Sequence, residues 1–227
     1  MDVILTSYFT GKPDPQSGRF RPENDAALMD PWVRSLRDLE LHGVICHDGP
    51  VMVTGVKVQL HHYQLKTTWS VNDERFLCWL ELLQNHPEID RVFLTDLFDV
   101  DFLRNPFDLV GSAYDLYVGC GAGFDRTIGA NNWLVGKMLS AYKTVYHSDQ
   151  RTVNAGVIGG RRQAVMRLLE YMVCDFVRLH STANINMAVF NRAVYDLFPA
   201  DRVLIGPPVT SRFKRYEQSG DFAVRHK

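Results

Sequence analysis

The chain has 227 residues, of which 46% are hydrophobic and 22% are charged, and its formal net charge is −1. This composition is ordinary for a globular protein, and we expect one domain over residues 1–227. The near-neutral charge gives no reason to expect nucleic acid as a partner. No apolar run reaches the roughly 20 residues of a membrane-spanning helix. Four separated cysteines without a C-x-x-C pair favour buried or half-buried reduced thiols and a cytoplasmic location.

Short apolar strands alternate with amphipathic helices along the chain. The predicted strands are 2–9, 44–46, 56–60, 91–95, 114–119, 154–160 and 202–205. The predicted helices place apolar residues at helical spacing over 28–39, 76–83, 165–179 and 187–197, and Ser70 with Asp73 caps the second of them. This alternation predicts an α/β fold with a central mixed, mostly parallel sheet flanked by helices. Ligands bind such sheets beyond the carboxyl ends of strands, so residues after Phe9 and Thr95 are the first candidates.

An acidic segment follows the predicted strand 91–95. Asp96, Asp99 and Asp101 place three carboxylates within six residues, on the rigid mount that a strand end provides. Mg²⁺ and Mn²⁺ prefer oxygen ligands of this kind. The alternative is a solvated loop in which one aspartate caps a helix. The apolar residues between the carboxylates favour a partly buried segment, in which charges need partners.

The stretch TDLFDVDFLRNPF, residues 95–107, resembles the D-x-D region of GT-A glycosyltransferases, which use nucleotide-diphosphate sugars. The register places Asp99 at the second aspartate and Leu97 at the first, so Asp96 is the substitute; a competing register uses Asp99 and Asp101. The resemblance implies a GT-A (Rossmann-like) fold and a Mn²⁺ or Mg²⁺ cofactor. It also implies a nucleotide-sugar donor, UDP-sugar first, and a catalytic role for Asp99 through its metal.

Other segments resemble the same family on the donor side. The first strand would contact the base and ribose, through Thr6, Tyr8 and Phe9. Arg75, near the start of the helix before the acidic strand, stands where related sequences carry a basic residue near the donor.

Later segments resemble the acceptor side and the end of the site. Asn154 and Gly156 match an N-[AST]-G segment that borders the acceptor. Asn186 stands at a catalytic position where an acidic residue is common, which is a departure from the pattern. His226 would be the third metal ligand, and Lys227 would lie near the diphosphate, as in many retaining members.

The resemblance implies a metal-assisted sugar transfer, with retention favoured by the late histidine and by the V-x-F-L-x-N-P-F pattern of residues 100–107. Positive charge from Lys12 would be a further, weaker contribution. The acceptor, a glycan, lipid or protein, is not identified. Two alternatives stay open: a nucleotide-sugar or partner-binding domain without catalysis, and a haloacid-dehalogenase-like phosphatase that uses Asp99-Val100-Asp101. We expect the glycine-rich segment 119–123 to be a tight turn that lines the pocket, and His61 with His62 to have a surface role.

Overall fold

Nine strands and five α-helices lie in residues 1–53, 57–123 and 125–227, which this computed structural model describes. The strands are β1 Asp2–Tyr8, β2 Gly43–His47, β3 Val58–His62, β4 Arg91–Thr95, β5 Val100–Phe102, β6 Leu116–Cys120, β7 Val153–Arg161, β8 Val203–Ile205 and β9 Val224–His226. The helices are α1 Ala26–Asp38, α2 Val71–Asn85, α3 Asn132–Tyr142, α4 Arg162–Leu179 and α5 Asn186–Leu197.

Seven strands form one twisted sheet in the order β3-β2-β1-β4-β7-β6-β8. Within it β7 runs antiparallel to both of its neighbours, and the other four neighbouring pairs are parallel. The predicted α/β fold with a mixed, mostly parallel sheet is therefore confirmed. The remaining strands, β5 and β9, pair with each other in a separate antiparallel ribbon.

Helices cover both faces of the sheet, which explains the continuous apolar sequence of its inner strands. Side chains alternate between faces along a strand. In β1, Val3 and Leu5 join the core under α2, α4 and α5, whereas Ile4 joins the core under α1. Both cores contain side chains that are fully buried. The middle of the sheet is therefore well packed and holds the loops at its ends in position.

The helix boundaries follow local capping chemistry. The Ser70 hydroxyl accepts from the Asp73 amide at 3.2 Å and starts α2 as predicted. In α1 the buried face includes Met29 and Val33, whereas Leu28 is exposed, so the apolar stripe is rotated from the predicted one. Helix α3 had no counterpart in the sequence prediction; only Leu134 and Met138 of it are buried.

Several smaller expectations have outcomes here. The four cysteines are free, and three are buried as expected, but Cys174 is exposed. The predicted strand 56–60 corresponds to β3, and Val56 lies outside the described residues. His62, at the end of β3, is exposed, in agreement with a surface role. Among the helices of the described residues, none combines the length and apolarity that crossing a membrane requires.

Candidate metal centre and ligand cavity

The carboxyl ends of β1 and β4 form a crevice at the middle of the sheet. From β1 the chain builds β2 and β3 on one side, and then returns to add β4 on the other side. The connections after β1 and β4 therefore leave in opposite directions. Open α/β sheets bind ligands at such a reversal of strand order, so this crevice is the place to look for a site.

Two carboxylates and one imidazole meet in this crevice. Asp96 and Asp99 lie in the turn after β4, and His226 reaches them from β9, which pairs with β5 directly after that turn. One ligand atom from each of the three side chains lies within 4.8 Å of the others. His226 Nε2 is 3.7 Å from Asp99 Oδ2 and 4.0 Å from Asp96 Oδ2. His226 is distant in sequence from the two aspartates, and the β5–β9 ribbon brings it to them.

The imidazole of His226 is buried without a hydrogen-bond partner among the described residues. His226 is 1% exposed, and neither of its ring nitrogens forms a hydrogen bond within the described residues. Because buried polar atoms are nearly always hydrogen-bonded, this pair of bare nitrogens beside two carboxylates points to a ligand. Gly156 keeps the space open, since a Cβ there would lie 2.6 Å from Asp96 Oδ2 and 2.7 Å from His226 Nε2. The donor set fits a divalent cation.

Arg75 of α2 sets the charge of one carboxylate in the group. Its guanidinium forms an ion pair with Asp96 and lies 5.2 Å from the ring of Trp79. Burial alone would raise the pKa of Asp96, but the charges of Arg75 and His226 outweigh it and lower that pKa below its ordinary value. Asp96 is therefore ionised at neutral pH, as a metal ligand must be.

We call Asp96, Asp99 and His226 the metal group. A cavity of about 650 Å³ opens beside it, and this volume is typical of ligand sites. Many of the residues predicted for the site line it: Phe9, Arg75, Asp96, Asp99, Asn154, Gly156, Asn186 and Lys227. The backbone amide of Lys227 donates to the Asp99 carbonyl at 2.9 Å, which fixes this lysine next to the acidic turn.

Thr6 and Tyr8, predicted as donor contacts, do not reach the cavity. The Thr6 hydroxyl is buried and donates to the Thr95 carbonyl at 2.8 Å, and the buried Tyr8 donates to the Pro22 carbonyl. Phe9, the third predicted contact of this strand, does line the cavity, and so does Ser7, which was not predicted. Successive side chains of a strand point to opposite faces, and the end of β1 presents its odd-numbered residues to the crevice.

Asp101 does not join the metal group. It lies in β5, is 7% exposed, and its carboxylate accepts from Arg225 of β9, with Nε at 2.8 Å. This arrangement favours the register that pairs Asp99 with Asp96. Lys12 is also engaged elsewhere, since its ammonium forms an ion pair with Glu74 and donates to the Thr67 carbonyl at 2.7 Å.

Two asparagines that line the cavity come from β7 and α5. Asn154 of β7 accepts from the Gly156 amide at 2.7 Å, and Asn186, the first residue of α5, donates to the Asn72 carbonyl at 3.1 Å. Behind them, burial raises the pKa of Asp73 to about 6. Its Oδ2 accepts from the Ile185 amide at 3.3 Å, whereas its Oδ1 has no partner within the described residues.

The sequence prediction missed part of the wall near β1. Asp14 and Arg21 line the cavity, and their ion pair of 2.7 Å positions the guanidinium 4.1 Å from the ring centroid of Phe98. The rule that sites follow strand ends points to this loop, but no motif in it distinguishes Arg21 from its neighbours.

The opposite wall follows β6 and was only partly foreseen. Gly121 and Ala122 line the cavity as expected, but Gly119 and Cys120 belong to β6, so the glycine-rich segment is not a single tight turn. Arg126, Asn131 and Trp133 also line it and were not predicted. An aromatic residue just inside a helix start is a weak signal on its own, because its exposure cannot be read from spacing.

Comparison with known proteins assigns no family. No protein-family model matches the chain, and no curated protein matches its sequence significantly. The geometry of the site and the resemblance of the acidic segment remain as the basis for a functional proposal.

Proposed function

We propose that this chain is a metal-dependent glycosyltransferase that moves a sugar from a nucleotide-diphosphate sugar to a hydroxyl acceptor. The observation that carries the proposal is the unpartnered imidazole of His226 beside Asp96 and Asp99, at the sheet's reversal point and next to a ligand-sized cavity. The resemblance of residues 95–107 to the D-x-D region supplies the reaction class. A fold alone would not, because one fold hosts many activities.

The metal group would bind the diphosphate of the donor. Asp96, Asp99 and His226 would hold a divalent cation, which supplies Lewis-acid stabilisation of the charge that develops on the departing nucleotide. An imidazole beside two carboxylates favours Mn²⁺ over Mg²⁺, which prefers oxygen ligands alone. Lys227 forms no ion pair within the described residues and lines the cavity, so its ammonium is available to the same phosphates.

The wall near β1 would hold the nucleoside. Phe9 lines the cavity there, and the planar guanidinium of Arg21 lies against Phe98 close by. An aromatic face and a stacked guanidinium are suited to a planar base. The nucleoside would then extend from the reversal point of the sheet, with its phosphates directed towards the acidic turn.

Retention of the anomeric configuration fits the distribution of carboxylates. Among the described residues that line the cavity, the carboxylates are Asp14, Asp96 and Asp99. Asp14 pairs with Arg21, and the other two belong to the metal group. None is left to act as a general base for inversion. The Asn186 amide would orient a sugar hydroxyl but cannot accept a proton.

Asp101 argues against the phosphatase alternative. That chemistry needs the two aspartates of Asp99-Val100-Asp101 to act on one phosphate. Asp101 is instead bound by Arg225 in the β5–β9 ribbon. A domain that binds a nucleotide sugar without turnover would share the metal group, and turnover separates it from an enzyme.

Calorimetry tests the proposal directly. UDP, GDP and CMP are titrated into the protein with and without Mn²⁺, and into Asp99→Asn and the control Asp221→Asn, whose carboxylate is 85% exposed and does not line the cavity. We expect one nucleotide to bind only with metal, to bind Asp221→Asn equally, and to lose at least about tenfold in affinity for Asp99→Asn. Absence of metal-dependent binding by all three nucleotides would overturn the assignment. Nucleotide release from the matching sugar donor then distinguishes an enzyme from a binding domain.

A further inference from the structure

The wall that follows β6 carries an exposed tryptophan that lines the cavity. Of the four tryptophans in the chain, Trp32 and Trp79 are 0% exposed and Trp69 is 9% exposed, whereas Trp133 is 56% exposed. Tryptophan is rarely left in water without a reason, and it is among the residues that contribute most to binding. Trp133 lines the cavity, so its ring is presented to whatever enters there.

Trp133 is held in place rather than mobile on a loose loop. It lies in the first turn of α3, whose start is capped by the Asn131 side chain at 3.2 Å from the Leu134 amide. The Lys137 ammonium lies 5.7 Å from the indole centroid and donates to the Asn184 carbonyl at 3.0 Å. The ring is therefore backed by Lys137, whose hydrogen bond to Asn184 ties this part of α3 to the segment that precedes α5.

Described residues between β6 and α3 are held by backbone hydrogen bonds to the residues just before β7. The Gly121 amide donates to the Thr152 carbonyl at 2.9 Å, and the Ile128 amide donates to the Gln150 carbonyl at 2.8 Å. A wall anchored in this way loses little conformational entropy on binding a ligand. The wall is thus built as a binding surface before any ligand arrives.

Polar groups of three residues that line the same cavity as Trp133 lack partners within the described residues. Asn184 Oδ1 and Thr152 Oγ1 are buried, belong to residues that line the cavity, and have no hydrogen-bond partner among the described residues. The guanidinium of Arg126 also lines the cavity and forms no ion pair or hydrogen bond within the same ranges. Buried polar atoms without partners are costly, so the ligand for this wall should carry several hydroxyl groups.

The sheet separates this wall from the nucleoside wall. Between β1 and β6 lie β4 and β7, and three strand spacings correspond to about 14 Å. The metal group after β4 lies between the two walls, about two strand spacings, or roughly 10 Å, from the end of β6. A donor that spans from β1 to the metal would place its sugar on the β6 side, with Trp133 beyond it.

We infer that the acceptor is a carbohydrate whose ring stacks on Trp133 and whose hydroxyls are met by Asn184, Thr152 and Arg126. The C–H face of a sugar ring is apolar and slightly positive, which suits the electron-rich face of an indole. Its edge carries the hydroxyl donors and acceptors that the three polar groups need. A lipid acceptor would leave those groups unsatisfied. This inference rests on the proposed function.

Fluorescence quenching provides a test that does not require turnover. Because the other three tryptophans are buried, acrylamide should quench mainly Trp133. We expect oligosaccharides from a neutral and acidic panel to protect the exposed emission from acrylamide, and UDP with Mn²⁺ alone to leave it accessible. Trp133→Phe should abolish the quenchable signal and so identify its source.

Acceptor kinetics complete the test. With the best donor, Trp133→Ala should raise the acceptor KM about tenfold and change the donor KM by less than about twofold. The matched control is Leu139→Ala on the same helix, where a 45% exposed side chain does not line the cavity; it should change neither value.

The outcomes separate this inference from the proposed function. If a nucleotide binds with metal but itself protects Trp133, the indole stacks on the base, and the inference fails while the proposed function stands. If a nucleotide binds with metal and no oligosaccharide protects Trp133, or if a hydroxyl-bearing peptide or lipid protects it instead, a carbohydrate acceptor is excluded. If no nucleotide binds with metal, the proposed function fails first, whatever the oligosaccharides do.

Discussion

Two clusters of charged side chains differ in how their polar atoms are satisfied. Where α3, α4 and α5 meet, the Asp175 carboxylate accepts from the Tyr142 hydroxyl at 2.6 Å, from Arg178 at 2.8 Å and from Arg192 at 3.4 Å. The guanidinium of Arg192 also bonds Asp196 and lies 4.2 Å from the ring centroid of Tyr146. Nearly every donor and acceptor of this helical cluster has a partner in the protein.

The metal group shows the opposite condition. His226 is as buried as a core residue, yet both of its ring nitrogens lack partners within the described residues, and the neighbouring carboxylates stay 3.7–4.0 Å away. Buried polar atoms in folded proteins are nearly always hydrogen-bonded, because each unsatisfied atom lowers the free energy of unfolding. A saturated cluster stabilises the fold, whereas an unsaturated one indicates where a ligand belongs.

The sharpest way to break this comparison is to delete one carboxylate from each cluster. Asp99→Ala should lower Mn²⁺ affinity at least about a hundredfold, because loss of outer partners alone costs about 10- to 100-fold, and should leave the free energy of unfolding of the metal-free protein unchanged or increased. Asp175→Ala should leave Mn²⁺ affinity unchanged and lower the free energy of unfolding by about 3 kcal/mol, because Arg192 and Tyr142 lose a buried partner.

Mn²⁺ titration calorimetry and urea unfolding of both variants measure these two effects. A loss of stability in metal-free Asp99→Ala that equals the loss in Asp175→Ala would mean that the acidic turn is a structural cluster as well. The contrast between the clusters would then disappear.

A glycine pair sharpens the comparison next. Gly156→Ala places a methyl group where the metal group converges, 2.6 Å from Asp96 Oδ2, and should weaken Mn²⁺ binding at least about tenfold and cost about 1–3 kcal/mol of stability by overpacking. Gly136→Ala in α3 meets no atom within 4 Å and should stabilise the protein by about 0.5–1 kcal/mol without affecting the metal. Equal Mn²⁺ affinity in both variants would show that the space beside Gly156 is not a cation site.

Local signals in the sequence predicted the fold well. The strands β1, β4 and β7 consist largely of buried residues in short runs, which could be identified without tertiary information. The start of α2 could be identified in the same way, because Ser70 caps it by the expected hydrogen bond. Helix α3 could not, because it buries only two side chains and contains Gly136, which leaves little periodicity. The ribbon of β5 and β9 was missed for another reason: each strand has three residues, and pairing across most of the chain has no local signature.

The site residues that belong to a recognisable motif could be predicted from the sequence, whereas those that depend on tertiary contacts could not. Asp96, Asp99 and His226 were all candidates from the resemblance, and the structure brings them together. The choice against Asp101 depends on its pairing with Arg225, a contact between strands that spacing cannot reveal. Exposure decides the importance of Trp133, and exposure is a property of the whole fold.

Asp101 offers the next smaller test, because it is a saturated carboxylate only two residues from the unsaturated group. Asp101→Asn should weaken its pairing with Arg225 and lower the free energy of unfolding by about 1–3 kcal/mol, since a half-buried guanidinium loses its counter-charge. Mn²⁺ affinity should fall less than about tenfold, through displacement of β9 only. A fall as large as that of Asp99→Ala in the same titration would restore the competing register, with Asp101 as a ligand.

Asp73 is intermediate between the saturated helical cluster and the unsaturated metal group. Its substitution should have the smallest effect on stability, and that effect depends on pH. One oxygen accepts from Ser70 and Ile185, whereas the other has no partner among the described residues. Burial raises the pKa of Asp73 from 3.8 to about 6. Between these two values the folded protein keeps a proton that the unfolded chain has lost, so this group's contribution to stability is complete below pH 3.8 and is lost as the pH rises through 6.

Asp73→Asn holds the position neutral at every pH. From pH 5 to pH 7.5, the free energy of unfolding of the variant should therefore gain about 1 kcal/mol relative to that of the wild type. Urea unfolding at the two pH values measures this gain, and any fixed cost of the amide cancels because it is the same at both. A difference between variant and wild type that does not change with pH would mean that Asp73 titrates normally in the folded protein. Its unpartnered oxygen would then be hydrated, and Asp73 would belong with the saturated carboxylates of the helical cluster.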